Sequence, residues 1–215
     1  MAFTNSDKSR ILKLKSSIAS YYNLQMKKLG DKKLESLFFE HGIITGGCIA
    51  SLAHDEAVKD IDVYAKTAKG LNFVQTYMTS LMPHSQIASL DKYVLDDEGN
   101  KQVTVKGAIA ITSNAITLTN DVQFIILGEA EDCRQKFDFI HCMPWFDIAS
   151  QKLYLSEYQW RCIQHKKIKV NPTYRSEVKQ NRIDKYIKRG WTQEHIEGFV
   201  AQEVSQIFPD VVQLP

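Results

Sequence analysis

The 215-residue sequence is poor in the features that mark special classes of protein. It holds 5 prolines and 10 glycines, which excludes collagen-like and Pro/Gly-rich low-complexity chains. No run of about 18 apolar residues occurs, so no membrane-spanning helix and no membrane partner are expected. The first residues, Met1-Ala-Phe-Thr-Asn-Ser-Asp7, lack the basic-then-apolar layout of a secretion signal. Neither sign of charge dominates: Lys and Arg number 27 against 25 Asp and Glu. That balance by itself implies no nucleic-acid partner, and any basic patch must be local. The 4 cysteines, Cys48, Cys133, Cys142 and Cys162, form neither a CxxC pair nor a zinc-ligand spacing. Free buried thiols in a reducing cytoplasm are the plain reading. The pairs His141-Cys142 and Cys162 with His165 read as packing rather than as nucleophile or metal sites.

What is present is ordinary globular material, 44% hydrophobic and 24% charged. It suffices for one core, with room for a small appendage. Ile11, Leu14, Ile18, Tyr21 or Tyr22, and Met26 recur near helical spacing, so a helix is expected over 6–29, stopped by Gly30. Asp31 can cap a second helix through Phe38. A short strand, Ile43-Ile44-Thr45, then runs into Gly46-Gly47, a helical piece over 48–54 and the strand Ile61-Asp62-Val63-Tyr64. A helix over 68–82 follows. From about 86 to 127 hairpin signals take over, with Asp96-Asp97-Glu98-Gly99-Asn100 and Ser113-Asn114 as turns. Ser156 with Gln159 forms a capping box for a helix to about Lys169. Further helices are expected over 176–188 and after Thr192. The fold class is α/β (α+β): a mixed sheet flanked by helices, over residues 1–150, followed by an all-helical C-terminal region, 151–215.

The chemistry concentrates between Gly46 and Tyr64. Two glycines between a strand and a helix let the backbone approach a ligand closely, and free N–H groups at a helix start can meet phosphate. Ser51 adds a hydroxyl from the first turn. Asp60 and Asp62 stand two apart, so their carboxylates share one face of the strand while Ile61 and Val63 face the core. Their Cα atoms are roughly 6–7 Å apart, and at an effective dielectric of about 20 the two charges repel by about 2–2.5 kcal/mol. Nothing in folding calls for that. Hard oxygen ligands on one face suit Mg2+ or Mn2+, which would offset the repulsion.

The segment from Gly46-Gly47 through Asp60-Ile61-Asp62 resembles the signature of the DNA polymerase beta-like nucleotidyltransferase superfamily. It looks closest to the head domain of CCA-adding enzymes and poly(A) polymerases, and it is also similar to small phage-encoded nucleotidyltransferases. Lys136-Phe137-Asp138-Phe139-Ile140-His141 resembles a second motif of that head domain, and the basic run from Arg182 to Arg189 is similar to the helix that follows it. The resemblance implies transfer of a nucleoside monophosphate from a nucleoside triphosphate to an acceptor hydroxyl, with release of pyrophosphate. It implies Asp60 and Asp62 as metal ligands, with Asp121 as the third catalytic carboxylate and Asp138 as its rival. Gly46, Gly47, Ser51, Asp138, Arg182 and Lys185 are implied as nucleotide-binding. Asp121 would share a strand face with Gln123.

Ile49-Ala50 stands where CCA-adding enzymes carry Arg-Asp, and the second motif is altered, which argues against CCA addition itself. RNA or tRNA is the first expectation for the acceptor, in a host cytoplasm if the chain is phage-encoded. Two alternatives stay open. One is a catalytically decayed module that binds nucleotide or RNA, and the other is a transferase that modifies a protein or small molecule. Basic residues gather in two groups, on the first two helices and between Lys166 and Arg189. They read either as solvated helix faces or as a positive wall for triphosphate or RNA. Tyr64, Tyr174, Tyr186 and Trp191 read as core or as base-stacking rings.

Overall fold

The computed structural model describes residues 3–80, 94–95, 101–105, 109–111, 114–118, 122–172, 178–193 and 212–213. The chain opens with α1 (Asn5–Leu29), whose inward stripe is Ile11, Leu14, Ile18, Tyr22 and Met26. Gly30 ends it in the left-handed conformation, φ 73°, which a residue without Cβ adopts freely. Asp31 caps α2 (Lys32–His41) by accepting from the N–H groups of Lys33 and Leu34. There follow β1 (Gly42–Thr45), α3 (Gly47–Leu52), β2 (Ile61–Ala65) and α4 (Ala68–Ser80). Next come β3 (Val94–Leu95), β4 (Lys101–Val105), β5 (Ile109–Ile111), β6 (Ala115–Leu118) and β7 (Val122–Glu129). The remaining elements are α5 (Ala130–Gln135), a 3-10 turn (Ile140–Cys142), β8 (Trp145–Asp147), β9 (Lys152–Leu155), α6 (Glu157–Gln164), α7 (Gln180–Ile187) and β10 (Val212–Gln213).

The strands lie in the order β10-β9-β8-β1-β2-β7-β6-β5-β4-β3. Among the described strands, β2 and β7 pair in parallel and the other neighbours are antiparallel. The expected mixed α/β sheet flanked by helices is therefore present. Alternation divides the side chains between its faces. Ile44, Ile61, Val63, Phe124, Phe146 and Leu153 pack in one core cluster with α1, α2 and α4. Ile43, Tyr64 and Ile125 point the other way and pack with Ala130 and Cys133 of α5.

The tail corrects one expectation. It is not all-helical: Lys152–Leu155 is a strand of the main sheet, paired with β8. The capping box of Ser156 and Gln159 forms as expected, but α6 ends at Gln164 rather than near Lys169, because Lys166 turns to φ 50°. Trp160, Ile163, Ile183, Tyr186 and Trp191 join the same core cluster as α1 and the sheet. The last helix, expected after Thr192, lies outside the described residues. No described helix is long and apolar enough to cross a membrane, and the four cysteines are free thiols.

Asp7 ties the first helix to the tail. It sits at the third position of a capping box with Thr4, accepts from the Trp160 indole N–H at 2.9 Å, and lies 3.4 Å from the Arg161 guanidinium. Burial pushes its pKa up, but bonds from Thr4 and Trp160 and the Arg161 charge outweigh that and hold it near 2. The ordinary carboxyl value is higher, so this stabilisation is complete above about pH 4 and is lost as pH falls through about 2. Asp7→Ala is expected to cost about 3 kcal/mol in denaturant unfolding at pH 7, because it strands a buried indole N–H and a cation. The variant's stability should also fall less steeply than the wild type's between pH 4 and 2.

Candidate active site

The candidate site lies where β1 ends and β2 begins. These strands are antiparallel, so the C-terminus of one meets the N-terminus of the other, and Thr45 pairs with Asp62. On the far side Asp62 pairs with Gln123 of β7. Thr45 is fully buried and its hydroxyl donates to the Pro144 carbonyl at 2.7 Å. Gln123 is therefore the flanking side chain of Asp62 whose polar end is nearer to solvent.

Both glycines of the turn are explained by close neighbours within the protein. Gly46 has φ 97° and ψ −162°, a conformation essentially confined to glycine. A Cβ there would lie 3.0 Å from Asp62 Oδ2. A Cβ on Gly47 would lie 2.9 Å from the Tyr186 hydroxyl. The Gly46 N–H is already donated to the Cys142 carbonyl at 3.0 Å. Gly46→Ala is thus expected to destabilise the fold by about 1–3 kcal/mol through backbone strain, measured by thermal or denaturant unfolding, and to push the Asp62 carboxylate off its place.

Asp60 and Asp62 are both half-buried, and among the described residues no ion pair or side-chain hydrogen bond engages either carboxylate. Burial first and the charge of Asp60 second raise the Asp62 pKa, Lys185 opposes them, and the net value is about 7. Lys185 is exposed on α7, yet its charge reaches Asp62. The structure thus sets Gly46 against Asp62 and leaves Asp60 and Lys185 within range of its charge, with Gly47 next in the turn.

Of the other expected residues, the described ones fall at the margin of this site. Asp121 lies outside the described residues. The Ser51 hydroxyl donates to the Gly47 carbonyl at 3.1 Å and accepts from Arg189 at 2.7 Å. Arg182 Nε approaches Asp138 Oδ2 to 2.6 Å. That contact is an ion pair without hydrogen-bond alignment, and the buried oxygen has no aligned donor. Asp138 and Arg182 act on the Cys142 thiol, beside Lys185. Tyr64, Tyr186 and Trp191 are buried, as core rings are, and Tyr174 lies outside the described residues.

Three participants carry little sequence signal. Cys142 Sγ lies 3.1 Å from the Tyr186 hydroxyl, a contact between residues 44 apart. Glu56 accepts from Arg189 Nε at 3.0 Å and from Lys166 at 2.7 Å, anchoring the tail to the loop after α3. Gln123 owes its place to strand pairing. Among the described residues no group of three or more His, Cys, Asp or Glu side chains is placed to hold a metal. Asp60 and Asp62 are the two described carboxylates that stand together beside the glycine turn. Their chemistry fits a hard cation whose other ligands are water and polyphosphate oxygens.

A mixed sheet with helices on its faces, a glycine turn and paired acids at adjoining strand ends make this a nucleotidyltransferase-like fold. The chain belongs to the Gabija anti-defense 2 family, whose model matches residues 14–166. A curated relative, "Gabija anti-defense 2" of Bacillus phage SPbetaL7, is 24% identical over 166 residues, covering 76% of this chain and 37% of its own length. Similar solved structures include an apo CCA-adding enzyme, at 16% identity and TM-score 0.43, with 80% of this chain and 41% of that chain covered. The Bacillus stearothermophilus CCA-adding enzyme in complex with CTP is 14% identical with TM-score 0.39, covering 82% of this chain and 40% of that one. The Thermotoga maritima enzyme complexed with tRNA is 15% identical with TM-score 0.36, covering 74% and 43%. The chain thus spans well under half the length of each of these proteins.

Proposed function

We propose that the chain is a nucleotidyltransferase, moving a nucleoside monophosphate from a nucleoside triphosphate to an acceptor hydroxyl. The observation that carries this reading is the Asp60–Asp62 pair: two carboxylates on one strand end, unneutralised by the described protein, set against a glycine turn with a lysine in range. Asp60 and Asp62 would hold Mg2+ or Mn2+, with Asp121 as the further candidate ligand. Bound there, such an ion stabilises charge on the attacking and leaving oxygens. The backbone at Gly46 and Gly47 lies against the triphosphate, and Lys185 faces its charge. Arg182, Asp138 and Ser51 line the margin and support the nucleotide from there. The acceptor oxygen forms a bond to the α-phosphorus, the bond to the bridging oxygen breaks, pyrophosphate leaves and the hydroxyl proton passes to solvent.

RNA is the acceptor class we favour, because basic side chains crowd α1, α2 and the tail. The phage relative is named for anti-defense against Gabija, and we carry the same role to this chain in the host cytoplasm. A second reading has its own support. The second motif is altered, with Phe137, Ile140 and His141 in it, as suits a module that binds nucleotide or RNA without turnover. Incubation with labelled triphosphates, Mg2+ and an RNA pool separates the two. Transfer of label by the wild type and its absence with Asp60→Ala/Asp62→Ala supports the enzyme. Equal labelling by both contradicts it, and binding without transfer supports the module. Label on a protein or small molecule in place of RNA corrects the acceptor.

A further inference from the structure

Helix α7 meets the candidate site at three places. Arg182 pairs with Asp138 at its start. Arg189, just past its end, donates to Ser51 at 2.7 Å and to Glu56. Between them Tyr186 reaches the glycine turn itself. Its hydroxyl lies 2.9 Å from where a Gly47 Cβ would stand, closer than real Cβ contacts come, and 3.1 Å from Cys142 Sγ. Its ring lies edge-on to His141, with centroids 4.4 Å apart, and to Phe139 at 5.3 Å. Trp191 closes the other side at 5.4 Å. Within α7 the buried residues are Ile183 and Tyr186, so the apolar hold on this helix passes through these two side chains. A short helix held by two buried side chains is the kind of segment that opens locally when one of them is displaced. Lys185, next to Tyr186 in the chain, is exposed, and its position follows that of the helix.

We infer that Tyr186 is a positioning residue: its hydroxyl, admitted by the missing Cβ of Gly47, docks α7 on the glycine turn and so fixes where Lys185 stands. What Lys185 does there rests on the nucleotidyl-transfer reading, which this inference deepens. The docking itself does not depend on that reading. Gly47 is then glycine because of the tyrosine above it. Adding a Cβ forces the hydroxyl away, and α7 with it. Removing the hydroxyl makes room again, since the ring carbon that bore it lies a bond length further back.

The test uses the full chain with Gly47→Ala, Tyr186→Phe and the two combined. The first readout is the rate at which iodoacetamide modifies Cys142, followed by peptide mass. Cys48, Cys133 and Cys162 are buried, whereas Cys142 keeps some exposure and lies under Tyr186. Gly47→Ala should speed Cys142 modification about tenfold or more by opening the helix, and the combined variant should return to the rate of Tyr186→Phe alone. The second readout is the dissociation constant of Mg2+–ATP. Tyr186→Phe and Lys185→Ala should each weaken binding about 5–10-fold, and together they should weaken it no more than the larger of the two, because one acts through the other. An equal effect of Gly47→Ala in both backgrounds, or additive losses for Tyr186 and Lys185, overturns the inference. A wild type that binds no triphosphate but gives the expected thiol result overturns the transfer reading and leaves the docking standing.

Discussion

Asp60→Ala/Asp62→Ala should lose nucleotidyl transfer by about a thousandfold or more while the folded state becomes more stable. The loss follows from the charge stabilisation a bound cation supplies, several kcal/mol, at about 1.4 kcal/mol per tenfold in rate. The gain follows from the geometry: two half-buried carboxylates raise each other's energy and no described side chain is bonded to them. These opposite signs separate a functional acid pair from a structural one. Structural carboxylates, such as Glu56 between Arg189 and Lys166, lose stability when truncated. Rates from label transfer and midpoints from denaturant unfolding on the same preparations check the pair of effects. A double variant that is inactive and also less stable would mark the acids as part of the scaffold.

The second large effect concerns pH. The Asp62 carboxyl has a folded pKa near 7, raised by burial and then by Asp60, from an ordinary value of 3.8. A carboxyl raised on folding favours the folded state below its unfolded pKa and loses that advantage as pH rises through the folded one. The metal-free wild type should therefore lose stability between about pH 4 and pH 7 and level off above. The loss is on the order of 2–4 kcal/mol, from roughly three pKa units at about 1.4 kcal/mol each, reduced by the residue's partial exposure. Asp62→Asn should flatten this slope and exceed the wild type at pH 8. Adding Mg2+ at pH 8 should recover stability in the wild type, since a ligand of the folded state stabilises it, and should leave Asp62→Asn nearly unchanged. A wild-type profile with no downward slope between pH 4 and 7 relative to Asp62→Asn would contradict the proposed electrostatics.

The sheet and its first helices are written in local patterns. The α1 stripe, the Gly30 stop and the Asp31 cap each depend on neighbours a turn away, and so does the two-residue alternation that places Ile61 and Val63 inward with Asp62 on the other face. The β3–β4 and β5–β6 hairpins announce themselves through their turns. The tail is less legible because long-range pairing decides it. Lys152–Leu155 becomes a strand through the open edge of β8, which no local period reports. The site divides in the same way. The Asp60–Asp62 pair and the glycine turn are visible as a motif. The partners of the glycines are not, because Tyr186 and Asp62 arrive from 139 and 16 residues away along the chain. The sequence suggests ligand space at Gly46 and Gly47, and the fold places a carboxylate and a phenol beside them.

The most direct test of the account is calorimetric titration of a nonhydrolysable nucleoside triphosphate into the wild type and into Asp60→Asn/Asp62→Asn, each with Mg2+ and with EDTA. The account predicts saturable binding by the wild type in Mg2+ alone, and at least about a hundredfold weaker binding, some 2.7 kcal/mol, on removing either the metal or the two charges. Binding of equal strength in EDTA, or in the double variant, would contradict the claim that these carboxylates hold the cation that carries the polyphosphate.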